Sequence, residues 1–388
     1  MATELPDALS VITLGYEEAA RLGITGDRLT LRRAWPRSKP GLTLEFVDSD
    51  AQVIAGQWIP DAATLQRTEA KTRAAAPELP VLTHDVGGVH IVLQGRGADR
   101  RLSELGPLVA STGARLVSHR AERRAVVRLE QGGMVLYAKV MSPELVPEIV
   151  DLDRYLRDLP QRPFNVPEVI ECDAGRGVVI WSALPGRPLH SLRERDEVVR
   201  SCATVGSSLR WLHKVPAEKD IRRHDARAEI EVLRKWIERL DAHKPSLSQH
   251  VMRSADEVVG NLENGTSPSG FLHRDLHDKQ VFIQSDEGVG FLDFDTAAVG
   301  EPALDVANML VHLELREDQR LWSTGTAEDA ASAFLCGYSP DRSTHGRLAA
   351  YADATRLRLA CLYAFRPMWP GISAAMLDRI GQGVPGGL

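Results

Sequence analysis

Asp275 is followed five residues later by Gln280 and, after a short polar hairpin, by Asp293. Phosphoryl transfer asks for such a set. A free carboxylate takes the proton of an attacking hydroxyl, and two further side-chain oxygens hold a hard divalent cation against nucleotide phosphates. Most lone aspartates cap turns or helices. Unrelated turns, however, have no reason to place His273, Asp275, Gln280 and Asp293 in this order and spacing.

Holding these groups in register requires short strands, and Val281-Phe282-Ile283 and Gly290-Phe291-Leu292 supply them. Upstream, "ARLVSH", "RAVVRL" (Arg124 to Leu129) and "MVLYAKV" (Met134 to Val140) read as three closely spaced strands. A helix-compatible stretch, "PELVPEIVDLDRYLRDL", then precedes "VPEVIEC" and "GVVIWSA". The whole predicts a five-stranded antiparallel sheet interrupted by one helix, left through a hinge at Leu184-Pro185-Gly186. Beyond the hinge the apolar period turns helical. Val198, Cys202, Val205, Leu209 and Leu212 form one stripe, and Ile230, Leu233, Ile237 and Leu240 form another. Before the sheet, "RLTLRR", "LTLEFVD", "AQVIAGQWI" and "VHIVLQG" read as strands, with Asp48-Ser49-Asp50 as a hairpin turn and a helix over 62–75. The expected class is α+β, with a small α/β cap over 1–110, a sheet lobe over 111–184 and a helical lobe over 185–388.

Composition narrows the function classes. A net charge of -6 gives no global basic field for nucleic acid or anionic membranes. Four scattered cysteines, Cys172, Cys202, Cys336 and Cys361, suggest neither a zinc site nor a disulfide framework. The opening "ATELPDALS" has no basic start or apolar core, so a cytoplasmic protein is expected.

The stretch "FLHRDLHDKQVFIQSDEGVGFLDFDTAAVGEPALDVANML" resembles the catalytic core of the aminoglycoside phosphotransferase and choline kinase superfamily. That resemblance implies a bilobal protein-kinase-like fold using ATP and Mg2+. It makes Asp275 the catalytic base, His273 a support for its loop, and Gln280 and Asp293 metal ligands. Asp305 would tie the helical lobe to the loop. Lys139, which interrupts an apolar strand, stands where the family binds nucleotide phosphates, with Glu148 as its expected helix partner and Glu144 in reserve. Ala183, beside the hinge, is a further nucleotide contact.

Two departures stand out. The turn "SHRAERR" has no glycine, so Arg123 and its basic neighbours are expected to meet phosphate by charge. Gln280 replaces the usual Asn and carries its amide oxygen one methylene further. A protein substrate is disfavoured because only eleven residues separate Asp293 from Asp305, and no A-P-E motif follows. The pattern His273-x-Asp275-x-His277-x-x-Gln280 is also similar to the maltokinase and glucosamine kinase branch, which implies a sugar or amino-sugar acceptor. An aminoglycoside or another amino alcohol is the alternative. A non-catalytic nucleotide-binding scaffold is the reading of another class. Candidate acceptor contacts are His277, Asp295, Glu314, Arg358, Tyr363, Arg366 and Trp369.

Overall fold

Along Arg28–Pro36 buried and exposed side chains alternate through most of the length, the mark of a strand with one face on a core. In the computed structural model, which describes residues 9–37, 41–86, 88–216, 221–285 and 288–386, this strand belongs to a six-stranded antiparallel sheet. Its members are β1 (Val11–Thr13), β2 (Arg28–Pro36), β3 (Leu42–Val47), β4 (Val53–Ile59), β5 (Val81–Val86) and β6 (Val89–Gln94), in the order β1-β2-β3-β4-β6-β5. Two helices accompany it, α1 (Tyr16–Leu22) and α2 (Ala62–Ala75). The expected turn at Asp48 is present, its carboxylate accepting the backbone N–H of Asp50 at 2.9 Å and of Gln52 at 2.8 Å. Sequence reading passed over β1, α1 and β5. The first two are short, and β5 carries His84-Asp85 in its middle. Most of the opening segment, up to residue 8, lies outside the described residues.

After α3 (Leu105–Ala110) come β7 (Arg115–Arg120), β8 (Arg124–Gln131) and β9 (Met134–Met141), then α4 (Val146–Asp158). Short β10 (Phe164–Asn165), then β11 (Val169–Asp173) and β12 (Val178–Ser182), follow. The expected five-stranded antiparallel sheet forms in the order β11-β12-β9-β8-β7. The chain leaves it at Gly186, where φ is 95° and a Cβ would lie 2.2 Å from the Ile283 carbonyl oxygen, so a larger residue cannot sit there.

From β13 (Arg187–Pro188) onward the chain is mainly helical. Helices α5 (Arg195–Leu212), α6 (Ala226–His243) and α7 (Pro245–Glu263) precede the short strands β14 (Gly270–Leu272), β15 (Val281–Ile283), β16 (Val289–Phe291) and β17 (Ala298–Gly300). Then come α8 (Ala303–Asp318), α9 (Thr326–Tyr338), α10 (Arg342–His345), α11 (Leu348–Tyr363) and α12 (Ile372–Asp378). Among the described residues no helix is long and apolar enough to cross a membrane.

The N-terminal sheet rests on both lobes. Against the helical one, Ala34 N–H donates to Phe365 O at 3.0 Å, and Trp58 meets His243 edge-on with centroids 5.9 Å apart. Against the sheet lobe the contact centres on Glu45, which is 0% exposed. Its carboxylate accepts from Arg32 Nε at 2.8 Å, from Arg33, from Ser118 Oγ at 3.0 Å and from His119 N–H at 2.9 Å. Burial opposes its charge, but Arg33 and Arg32 outweigh that and hold its pKa below the usual range. Replacing it leaves two half-buried guanidiniums, the Ser118 hydroxyl and the His119 N–H without their shared acceptor. Glu45→Ala is therefore expected to lower unfolding free energy by roughly 3–5 kcal/mol in a urea titration, against about 1 kcal/mol for Ser118→Ala. Equal effects would show that the carboxylate is not the centre of this contact.

Candidate active site

Helix α8 is buried along most of its length, yet it carries Asp305, Asn308, His312 and Arg316 at spacings of three, four and four. That is one face of a helix. All four reach the loop after β14, in chain order. Asp305 accepts the backbone N–H of His273 and of Arg274, each at 2.7 Å. Asn308 Nδ2 donates to Leu276 O at 2.7 Å. His312 stacks on His277 with centroids 4.7 Å apart. Arg316 grips both oxygens of Asp278, which is 0% exposed. The loop-fixing role expected of Asp305 thus describes a whole helix face. The signal was available: polar letters at helical spacing inside an apolar run. Behind Asp305, His213 donates to it at 3.2 Å through Nε2, and its Nδ1 takes the Tyr338 hydroxyl at 2.7 Å.

These bonds hold Arg274 at φ 70°, and Asp293 sits at φ 61°. Left-handed backbone in residues other than glycine is sustained only where surroundings impose it. His273 joins the two places, its Nε2 donating to Leu292 O at 2.7 Å. Between them stands Asp275, partly exposed. Among the described residues no donor bonds its carboxylate.

Lys139 on β9 donates to Asp293 Oδ1 at 2.8 Å and also to Asp295. The expected pair with Glu148 does not form. Glu148 is largely exposed and salt-bridged to Arg222, while the first residue of α4, Val146, shares a buried cluster with Met141 of β9. Glu144 is exposed too. Asp295, taken from sequence as an acceptor contact, sits beside Lys139 and Asp293. Burial would raise the pKa of Asp293, but Lys139 and Arg124 overcome it and keep the group ionised well below the usual range. Asp295 is pushed up by burial and by Asp293, against the pull of Lys139. The Gln280 amide approaches Asp293 Oδ2 at 3.4 Å. With the amide turned over, its oxygen would lie beside that carboxylate, giving two hard donors that fit a divalent cation.

The acceptor wall read from sequence fares less well. Glu314 is spent on Arg356, at 2.8 Å. Arg358 donates to Asn308 at 2.6 Å, Tyr363 accepts from Gln319 at 3.1 Å, and Arg366 donates to Ala34 O at 2.7 Å. Trp369 packs half-buried against the core. These are packing and bracing groups. His277 does face the loop, and its Nδ1 accepts Lys279 N–H at 3.2 Å, which puts the ring proton on Nε2. His277, Asp278 and His312 lie close enough to suggest a metal cluster, but Arg316 already occupies the carboxylate.

The glycine-free turn between β7 and β8 is tied down from the N-terminal region. Buried Asp99 accepts Glu122 N–H at 2.7 Å and pairs with His119 Nε2 at 2.9 Å. Glu122 takes the left-handed conformation, φ 63°, and clasps Arg100 at 2.8 and 2.9 Å. Arg124, rather than Arg123, approaches the carboxylates, with Nη1 at 4.0 Å from Asp295.

Residues 113–351 match the model of the phosphotransferase enzyme family APH. A homoserine kinase of Mesorhizobium japonicum is 30% identical over 205 residues, which are 50% of this chain and 60% of that enzyme. One from Methylobacterium nodulans is 26% identical over 183 residues, 45% of this chain and 55% of that enzyme. The chain thus spans little more than half the length of these curated relatives. Among solved structures, an amicoumacin kinase in complex with AMP-PNP, Ca2+ and Ami has a TM-score of 0.51 at 15% identity, over 68% of this chain and 88% of that one. A Plasmodium vivax ethanolamine kinase has a TM-score of 0.50 at 12% identity, over 70% and 83%. The fold is protein-kinase-like.

Burial keeps the histidines behind the loop neutral. It pushes His190 down to about 4, lowers His277, and takes His312 well below the ordinary range, where His277 and Arg316 add to the effect. The unfolded chain binds these protons near pH 6.5, so their contribution to stability is present above that pH and lost as pH falls. Tm is expected to drop from about pH 7 to about pH 5, and less steeply in His312→Phe. Parallel curves would remove His312 from the effect.

Proposed function

The chain belongs to the phosphotransferase enzyme family, and on that premise we propose that it is an ATP- and Mg2+-dependent kinase for a hydroxyl of a small molecule. One observation carries the reading: Asp275, whose carboxylate has no donor among the described residues, stands on the same loop as Gln280, across from Asp293 held by Lys139. One group is free to take a proton, and the others are arranged around charge.

Asp293 and Gln280 would hold the metal, which when bound neutralises the β- and γ-phosphates. Lys139 would exchange one of its two carboxylates for phosphate oxygen. Ala183 would offer the nucleotide its carbonyl, because its N–H already donates to Val135 O at 3.1 Å. Arg124, rather than the Arg123 expected from sequence, would add charge beside the phosphates. Asp275 would accept the hydroxyl proton as the acceptor oxygen attacks the γ-phosphorus in line and ADP departs. His273 works through Leu292 as a positioning residue.

For the acceptor, the motif around His277 favours a sugar or amino sugar. The neutral ring would present its Nε2–H to a second hydroxyl. The homoserine kinase relatives support another reading, an amino-acid alcohol. Purified protein with Mg-ATP and a panel of sugars, amino sugars, aminoglycosides and homoserine, read by ADP release, separates them. Asp275→Asn is expected to lower kcat by about a hundredfold or more with nucleotide affinity kept. Asp293→Asn should lower both. Turnover unchanged in the two variants would overturn the assignment, and tight nucleotide binding with no transfer to any acceptor would favour a scaffold.

A further inference from the structure

Between the N-terminal sheet, the glycine-free turn and α6 lies a cavity of about 660 Å³. Six arginines line it: Arg37 at the end of the β2 region, Arg100 and Arg101 after β6, Arg120 and Arg123 at the turn, and Arg239 on α6. Two carboxylates, Asp61 and Glu122, share the wall. Neither balances the cluster. Asp61 is engaged in capping α2, accepting Thr64 N–H at 2.7 Å. Glu122 gives both oxygens to Arg100 and has Arg101 at 3.8 Å.

Arg37, Arg120, Arg123 and Arg239 therefore have no carboxylate within 4.0 Å among the described residues. Among the described residues the Arg37 side chain hydrogen-bonds neutral groups, Thr43 Oγ1 at 3.2 Å and Gln57 Oε1 at 2.6 Å. Arg239 lies over the Trp236 ring. Arg120 lies over Trp35, with its Nε buried and lacking an acceptor. Burial pushes Arg120 down to about 10, and Arg124, Arg123, Arg239 and Arg37 add to that push. Like charges gathered around an open volume, one with a buried donor unsatisfied, are arranged for an absent anion.

We propose that this cavity binds a small, multiply phosphorylated anion at a site separate from that of the nucleotide. Guanidinium forks match phosphate oxygens in pairs, and four of them on three separate elements need more than one anionic group to satisfy them. Separation follows from the wall, which contains none of Lys139, Asp275, Gln280 or Asp293. The clamped turn stands between the two places. Arg123 faces the cavity, and Arg124, the next residue, faces Asp295. The inference is independent of the acceptor.

The probe is inorganic tripolyphosphate, titrated calorimetrically into the full chain in metal-free buffer at constant ionic strength. Arg37→Gln combined with Arg239→Gln is expected to weaken it by about tenfold or more, with Mg-ATP affinity unchanged. Lys139→Met should leave the probe's affinity as it is. Arg239→Gln alone keeps the test valid if the double variant unfolds, because that side chain only stacks on Trp236. The opposite pattern, sensitivity to Lys139→Met and indifference to the arginines, would assign the probe to the nucleotide site and overturn the proposal. So would absence of binding at millimolar probe.

Discussion

A carboxylate cut off from water must be met by hydrogen bonds, and Asp305, 0% exposed, is met by the backbone of the loop it serves. The N–H groups of His273 and Arg274 and the His213 ring all point at it. Removing the charge would strand three donors in the core. The loop therefore cannot relax without opening the interior of the helical lobe. Asn308, His312 and Arg316 extend the same constraint along α8 as far as Asp278. A loop held by this many side chains keeps Asp275 at a fixed distance from Gln280 and Asp293.

That rigidity explains where strain is tolerated. Arg274 and Asp293 adopt backbone that suits glycine, at roughly 1–3 kcal/mol each. Both lie at ends of segments whose hydrogen bonds leave no alternative. Lys139 then connects the strained Asp293 to the sheet lobe, so at this site the two lobes meet through one cation and two carboxylates. Three partly buried charges in contact are stable only as a set.

Much of this was legible in the chain. Three closely spaced strand-like runs gave β7 to β9, helical spacing gave α5 and α6, the ordered letters from His273 to Asp293 gave the loop, and the family resemblance gave Asp305 as its anchor. Other features depended on distance in sequence. Glu148 looked like the partner of Lys139 because Leu152 and Tyr155 put it at the border of a packed helix face, but its carboxylate meets Arg222 and Lys139 meets Asp293 and Asp295, pairings that no local pattern encodes. Glu314 and Arg366 looked like a ligand wall, whereas tertiary packing paired the first with Arg356 and the second with the Ala34 carbonyl. Asp278 and Arg316 are separated by 38 positions, so their pairing carries no periodic signal. The N-terminal sheet was recognised as strands, but its docking surface was not, because Glu45 and Asp99 look like ordinary strand and turn acids until their partners fold around them.

The same docking accounts for the turn without glycine. A Gly-rich turn draws its phosphate contacts from mobile backbone N–H groups. In this chain the turn is immobilised from outside: Asp99 holds its Glu122 N–H, Arg100 holds the Glu122 side chain, and Asp99 fixes neighbouring His119. With the backbone committed, any contact this turn makes with an anion falls to side chains, and the sequence places arginine at 120, 123 and 124. The N-terminal sheet and the missing glycines are two parts of one arrangement. Removing the sheet would free a turn that has no glycine with which to do the work on its own.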